Sequence, residues 1–561
     1  MIRLFLQVLG VWMTLGLAQA VMAQAQPAPA QAVSASASPV VQAPAGALRG
    51  EAVDDIAVFR GIPYAQPPVK RMRWQAPVAA ARWSGVREAT RFGPACHQPP
   101  SRPGSIYAPA EALPMSEDCL SLNVWAPTGA DAAPVFVWIH GGSLVAGSSS
   151  ETLYDGARLA ARGVVVVTLN YRLGVLGYLA HPQLSEESAE GISGNYGVLD
   201  QIEALRWVQR NIAAFGGDPG NVTIAGESAG ALSVMYLMAS PRARGLFGRA
   251  IAQSAYMISS PALREAQHGE KPAEAAGLDV AARLGASGIA ALRAMDAQEL
   301  AVAAPRAGFQ PSGVVDGVLL PRQLVEIFDR GEQARVPILA GFNSGEIRSL
   351  RFLMPEKPES PAAYESAIRD RLGDLSDDFL RLYPAGDMAE GMTGETIMGN
   401  SIMAALRDAL YGWTAQRLVT GQSALGMPSY QYNFDHGYPA AEAAGMHAFH
   451  AAELPYVFGT AQTTPALWPK VPETAEEERF TAAMMGYWAS FMKSGIPQAP
   501  GQPAWRPYSE GRAYMNFAER PRGEAELFPG MFDLHEEVVR RRRAAGDIPW
   551  NWNVGIASPR P

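Results

Sequence analysis

Residues 221–235 read NVTIAGESAGALSVM, and this stretch limits the fold more than any other. Val222, Thr223, Ile224 and Ala225 are short, largely apolar and partly β-branched, which reads as a buried strand. Residues 229–238 (AGALSVMYLM) are apolar, rich in helix formers and free of proline, so a helix follows at once. Between them stands Gly226-Glu227-Ser228-Ala229-Gly230, a G-x-S-x-G with no room for a loop. A strand that turns directly into a helix forces its central residue into strained backbone geometry and pushes the serine hydroxyl out over the sheet edge. The flanking glycines let neighbouring backbone approach without a Cβ clash, and the helix N-terminus favours developing negative charge. A serine in a glycine-rich turn is by itself only a turn residue. In this strand–turn–helix setting Ser228 is a candidate nucleophile, which then requires a base, an acid and oxyanion donors elsewhere.

The rest of the chain is compatible with a large enzyme core. Of 561 residues, 48% are hydrophobic, and Lys+Arg 46 against Asp+Glu 54 leaves a net charge of −8. An acidic balance argues against nucleic acid, whose binding needs a basic face. Residues 1–25 have the form of a signal peptide: Arg3, an apolar run over 4–17, and small-x-small sites at Ala18-Gln19-Ala20 and Ala23-Gln24-Ala25. The run approaches the ~20 residues of a membrane span, but Gln7, Thr14 and Gln19 interrupt it. We therefore expect cleavage, export to a periplasm or the medium, and no stable membrane insertion afterwards. Residues 26–47 are Ala/Pro/Ser/Gln-rich and read as a flexible linker, leaving 48–561 as one folded domain.

Cys96 and Cys119 are the only cysteines. In an exported chain, and with no nucleophilic-cysteine signature at either, they predict one disulfide closing a loop. Residues 134–139 (PVFVWI) are apolar throughout, as a strand covered on both faces must be. This strand delivers His140-Gly141-Gly142-Ser143. An oxyanion needs backbone N–H donors aimed at one point, and only small residues let the backbone come that close. Gly141, Gly142 and Ser143 can supply them, with the N–H of Ala229 completing the set. Residues 163–170 (GVVVVTLN) read as the next strand, and a helix capped by Asp200 runs through Ile202, Leu205, Val208 and Ile212 to Gly216-Gly217. This order is a right-handed, mostly parallel α/β sheet with its chemistry at the strands' carboxyl ends.

Six motifs together resemble the type B carboxylesterase/cholinesterase family. They are Phe59-Arg60-Gly61-Ile62-Pro63-Tyr64-Ala65, Glu117-Asp118-Cys119-Leu120 with Asn123-Val124, Asn170-Tyr171-Arg172-Leu173-Gly174, Gly194-Asn195-Tyr196-Gly197, Phe215-Gly216-Gly217-Asp218-Pro219 and the Ser228 motif itself. The likeness extends from about residue 48 to about 520. It implies an α/β-hydrolase fold with cap insertions, a Ser–Glu–His triad, a Cys96–Cys119 disulfide and hydrolysis of small-molecule esters without metal or cofactor. The family's acid motif is similar to Gly341-Phe342-Asn343-Ser344-Gly345-Glu346, which selects Glu346, with Gly345 and Ile347 departing from the pattern. Its histidine stands three residues before a glutamate, which selects His450 before Glu453 and leaves His447 as rival. Glu227, beside the nucleophile, and Ser254, which matches a family serine, would support the triad.

Other readings compete with these. His447, His450 and Glu453 share a helical spacing that metal ligands use, but Pro455 follows at once. The same triad could serve an amide, polyester or lipid hydrolase, and a chain of this fold can also be a non-catalytic binding protein. Residues 260–320 and 352–404 read as cap helices. Arg348 and Arg351, close after Glu346, would favour an anionic ester if either reached the pocket. Arg540 to Arg543 read as a solvated C-terminal helix face. Oligomeric state and the natural ester have no signature in the sequence.

Overall fold

The computed structural model describes residues 38–546, except 110, 387, 388 and 391–394, together with 548–550 and 555. The expected signal peptide (1–25) lies outside the described residues, as does the linker up to residue 37. The rest of the expected linker does not hold. Val40–Ala43 is a strand paired antiparallel with Gly46–Arg49, so residues 40–47 belong to the folded body rather than to a linker. The turn between the strands is tied down from outside, by Asn211 Oδ1 accepting from the Ala45 N–H at 2.9 Å and by Trp83 Nε1 donating to the Ala47 carbonyl at 2.9 Å.

The described residues build an 11-stranded sheet. Its strands in chain order are β1 (Glu51–Val53), β2 (Ile56–Pro63), β3 (Ser121–Pro127), β4 (Ala133–Ile139), β5 (Val165–Leu169), β6 (Gly217–Glu227), β7 (Arg249–Gln253), β8 (Ile338–Asn343), β9 (Ser429–Phe434), β10 (Ala513–Phe517) and β11 (Pro521–Ala525). Their spatial order is β11-β10-β9-β8-β7-β6-β4-β5-β3-β2-β1. Neighbours from β5 across to β10 are parallel. Antiparallel pairs flank them on both edges. The parallel strands are buried on both faces, which is why β4, β5 and β8 are near-continuous apolar runs.

This order places the crevice. The chain goes from β4 outward to β5, then returns across β4 to β6. The connections therefore leave β4 and β6 in opposite directions, and a crevice opens beyond their carboxyl ends. Ile139 at the end of β4 pairs with Gly226 near the end of β6. The glycine-rich loop after β4 and the turn after β6 thus meet at the switch point.

Two helices fix that geometry. Helix α1 (Tyr196–Asn211) precedes β6, and helix α2 (Ala229–Ala239) follows it with every residue buried. The sequence expectation that Asp200 caps α1 does not hold; the helix starts earlier, with Asn195 at the cap position. Asp200 is instead fully buried and accepts from Arg172 Nε at 2.8 Å and Nη2 at 2.7 Å. An aspartate with such a partner inside the core is satisfied without capping anything. Cys96 and Cys119 form a disulfide with a Cα–Cα distance of 5.0 Å.

Candidate active site

Ser228 sits at φ 55° and ψ −122°, a strained conformation for a residue with a Cβ, at the N-cap of α2. Its N–H donates to the Gln253 carbonyl at 2.9 Å and its own carbonyl accepts from Leu232 at 2.9 Å, so the turn is held from both sides. The glycines are required by close approach. A Cβ on Gly230 would lie 2.1 Å from the Ile139 carbonyl oxygen, and one on Gly226 would lie 2.4 Å from the Gly230 carbonyl carbon. The elbow closes only because neither is there.

The loop after β4 lies against this turn. A Cβ on Gly141 would meet the Glu227 carbonyl oxygen at 2.9 Å and Ser228 Cβ at 3.3 Å. Gly142 has φ 100° and Ser143 has φ 57°, and both are exposed. No hydrogen bond among the described residues uses the N–H of Gly142 or Ser143. Ala229, as the first residue of α2, has no intrahelical acceptor for its N–H either. His140 buttresses the loop from below. Its ring stacks on Tyr171 with centroids 4.5 Å apart, and burial pulls its pKa down to about 4, so it stays neutral.

His450 and Glu346 come together across 104 positions of sequence. His450 Nδ1 is hydrogen-bonded to Glu346 Oε2, and Glu346 Oε1 accepts from the Asn343 N–H at 2.9 Å. Glu346 is fully buried at the end of β8. The two loops are joined by the Gly345 N–H, which donates to the Ala448 carbonyl at 2.8 Å. The imidazole's other nitrogen does not meet Ser228. His450 Nε2 lies 3.0 Å from Glu227 Oε1, an ion-pair contact whose angle falls short of a hydrogen bond. Burial disfavours the charged imidazole, but the Glu227 and Glu346 carboxylates outweigh it and lift His450 to about 9. Glu227 is raised to about 8, chiefly by burial, with His450 acting against the rise.

Beneath this cluster runs a polar network that the sequence did not disclose. Glu453 is fully buried and accepts from Gln253 Nε2 at 2.8 Å and Asn343 Nδ2 at 2.6 Å. Gln253 Oε1 in turn accepts from Trp488 Nε1 at 3.0 Å. Asn343 therefore serves both carboxylates, Glu346 through its backbone and Glu453 through its side chain. The one signal in the sequence is that Glu453 is the single charged residue in the otherwise apolar run over 451–458. Ser254 is fully buried at φ 49°, and its N–H donates to the Gly341 carbonyl at 2.8 Å. It thus joins the ends of β7 and β8, while its hydroxyl has no hydrogen-bond partner among the described residues. Two tyrosines that we did not anticipate complete the surroundings. Tyr107 donates to the His450 carbonyl at 3.0 Å, and the Tyr411 ring lies 5.4 Å from the imidazole. Tyr411 belongs to a π-helical turn, Asp408–Gly412, a feature that re-aims side chains where it interrupts a helix.

The rival His447 is engaged elsewhere, with Nε2 2.9 Å from Asp435 Oδ1 and Nδ1 on Glu442. Its pKa is raised, first by the hydrogen bond to Asp435. Arg348 is half-buried and donates to Asn400 Oδ1 at 3.3 Å, while Arg351 is exposed. Among the described residues no group of three His, Cys, Asp or Glu side chains could hold a metal ion.

A parallel core with an elbow at the β4/β6 crevice defines the α/β-hydrolase fold, and solved structures agree. A para-nitrobenzyl (PNB) esterase superposes with a TM-score of 0.74 at 32% identity, over 90% of this chain and 98% of that one. A carboxylesterase of Geobacillus stearothermophilus gives 0.73 at 35% identity, over 90% and 99%. The chain belongs to the carboxylesterase family, whose model matches residues 37–531, and it is a carboxylic ester hydrolase. Its relatives include the fumonisin B1 esterase of Sphingopyxis macrogoltabida, 35% identical over 85% of this chain and 86% of that one. The para-nitrobenzyl esterase of Bacillus subtilis (strain 168) is 34% identical over 83% and 92%.

Proposed function

We propose that this protein is an exported serine carboxylesterase that works through an acyl-enzyme on Ser228. His450 acts as base and acid, and Glu346 orients it. The observation that carries the reading is the placement of His450, with Nδ1 on the buried Glu346 and Nε2 directed at the residue next to Ser228. For attack, a neutral His450 exchanges Glu227 for Ser228 Oγ and takes its proton as the oxygen adds to the ester carbonyl. The N–H groups of Gly142, Ser143 and Ala229, with Gly141 bringing the loop close, receive the oxyanion. His450 then protonates the leaving alcohol, and water repeats the sequence to release the acid. Glu346 holds the imidazole's tautomer and stabilises its charged form.

Export is supported by the disulfide, since such bonds persist in oxidising compartments. No described helix is long and apolar enough to cross a membrane. The site is tested by treating the protein with a fluorophosphonate and mapping the adduct by mass spectrometry. A single adduct on Ser228 is expected; an adduct elsewhere, or none while esters are still hydrolysed, contradicts the assignment.

A further inference from the structure

His450 is carried by a strained stretch of backbone. His447 and Ala451, on either side of it, have φ values of 50° and 67°, and neither is a glycine. Such strain persists only where the surroundings enforce it. The enforcement runs carbonyl by carbonyl. The Ala448 carbonyl accepts from the Gly345 N–H at 2.8 Å, that of Phe449 from Asn343 Nδ2 at 2.7 Å, and that of His450 from the Tyr107 hydroxyl at 3.0 Å. The first two donors stand at the end of β8, within three residues of Glu346. The third comes from a different part of the chain, the segment closed by the Cys96–Cys119 disulfide.

The Tyr107 oxygen also lies 2.7 Å from Ser349 Oγ. A phenol has one proton to give, and a carbonyl can only accept. Tyr107 therefore donates to His450, and Ser349 donates to Tyr107. Ser349 ends the single helical turn that Glu346 begins, Glu346–Ser349. One hydroxyl thus ties the backbone of His450 to the turn that carries Glu346. Its place is set by packing: the Tyr107 ring stands edge-on to Trp468, with centroids 5.9 Å apart, and Trp468 meets Phe449 at 4.8 Å. Trp468 is itself buried.

We propose that Tyr107 is a positioning residue for ester hydrolysis, its hydroxyl holding the His450 backbone in register with Glu346. This role rests on the catalytic reading of His450 and Glu346. With the backbone held at Ala448, Phe449 and His450, the exchange of the imidazole from Glu227 to Ser228 is left to side-chain torsions. Without the Tyr107 hydroxyl, the peptide between His450 and the left-handed Ala451 loses its external tie, and the imidazole loses its fixed origin.

The test is steady-state hydrolysis of 4-nitrophenyl acetate by the full-length protein and Tyr107→Phe, well below the unfolding temperature of each. Tyr107→Phe keeps the ring against Trp468 and removes only the hydroxyl. A fall in kcat of roughly 10- to 100-fold is expected, the scale of a small misplacement of a catalytic group, with KM within about twofold of wild type. Labelling of Ser228 by a fluorophosphonate is expected to slow by a similar factor, since it needs the same base. Ser349→Ala, which leaves the bond to the His450 carbonyl in place, is expected to lower kcat by about threefold, and it carries the test if Tyr107→Phe does not fold. A merely structural hydroxyl would lower the unfolding temperature and leave kcat alone. Unchanged kcat in the folded variants, or a loss carried by KM, overturns the proposal. An inactive wild type, or an active Ser228→Ala, is the separate failure of the serine-esterase reading and removes this role with it.

Discussion

His450 faces Glu227 at 3.0 Å through Nε2 while its Nδ1 is held by Glu346, so the imidazole bridges two buried carboxylates rather than meeting the Ser228 side chain. In the proposed mechanism His450 accepts a proton, and the resting arrangement favours one already being there. Both carboxylates favour imidazolium, and the charged ring cannot act as base until that proton leaves.

With His450 as the proposed base, Glu227 is expected to set the acid limb of activity. With His450 raised to about 9, chiefly by Glu227 working against burial, the neutral base grows in as pH rises. Glu227→Gln removes a negative charge that favoured imidazolium, so the histidine loses its proton at lower pH. The acid midpoint of kcat/KM, which reports the free enzyme, is expected to move down by about one pH unit. A pH–rate profile measured on both proteins checks this, and a midpoint that stays put or rises contradicts it.

Gly230 is required by the elbow rather than by chemistry. The Gly230→Ala methyl would sit 2.1 Å from the Ile139 carbonyl oxygen, which is backbone and cannot swing away. A destabilisation of about 2–3 kcal/mol, or failure to fold, is expected from such overpacking. Thermal unfolding beside wild type measures it.

Glu453 holds the floor of the site. Glu453→Ala strands the side-chain donors of Gln253 and Asn343 in the core, for a loss of about 3 kcal/mol in urea unfolding. Glu453→Gln keeps an acceptor there and is expected to lose less.

The disulfide closes a loop with a sequence separation of 23 residues. Replacing both cysteines by alanine is expected to lower stability by about 3 kcal/mol in the chain-entropy account, with ester hydrolysis kept at low temperature. Denaturant unfolding of the double variant tests both parts.

The elbow was legible because its constraint is local. Strand propensity, two glycines and a helix fall within 15 consecutive positions, and the observed β6–Ser228–α2 follows them. The glycine-rich loop after β4 was legible for the same reason. Residues whose role depends on distant partners were not. Asp200 looked like a helix cap because its partner Arg172 is invisible to a local pattern. Glu453 meets Gln253 from 200 positions away, and no spacing rule joins them. Tyr411 reaches His450 through a π-helical turn that nothing in its neighbours announces. The four arginines at 540–543 do lie on a helix, Met531–Ala545. Arg542, though, turns inward one heptad after His535, is 7% exposed, and is pulled down to about 10 by burial. A run of like residues crosses both faces of a helix whatever its charge.

The most direct measurement is kcat/KM for 4-nitrophenyl acetate on wild type, Ser228→Ala, His450→Ala and His447→Ala, each first shown to be folded. Wild type is expected to hydrolyse the ester, Ser228→Ala and His450→Ala to lose about 10³-fold or more, and His447→Ala to change little. Activity retained by Ser228→Ala or His450→Ala would contradict the account.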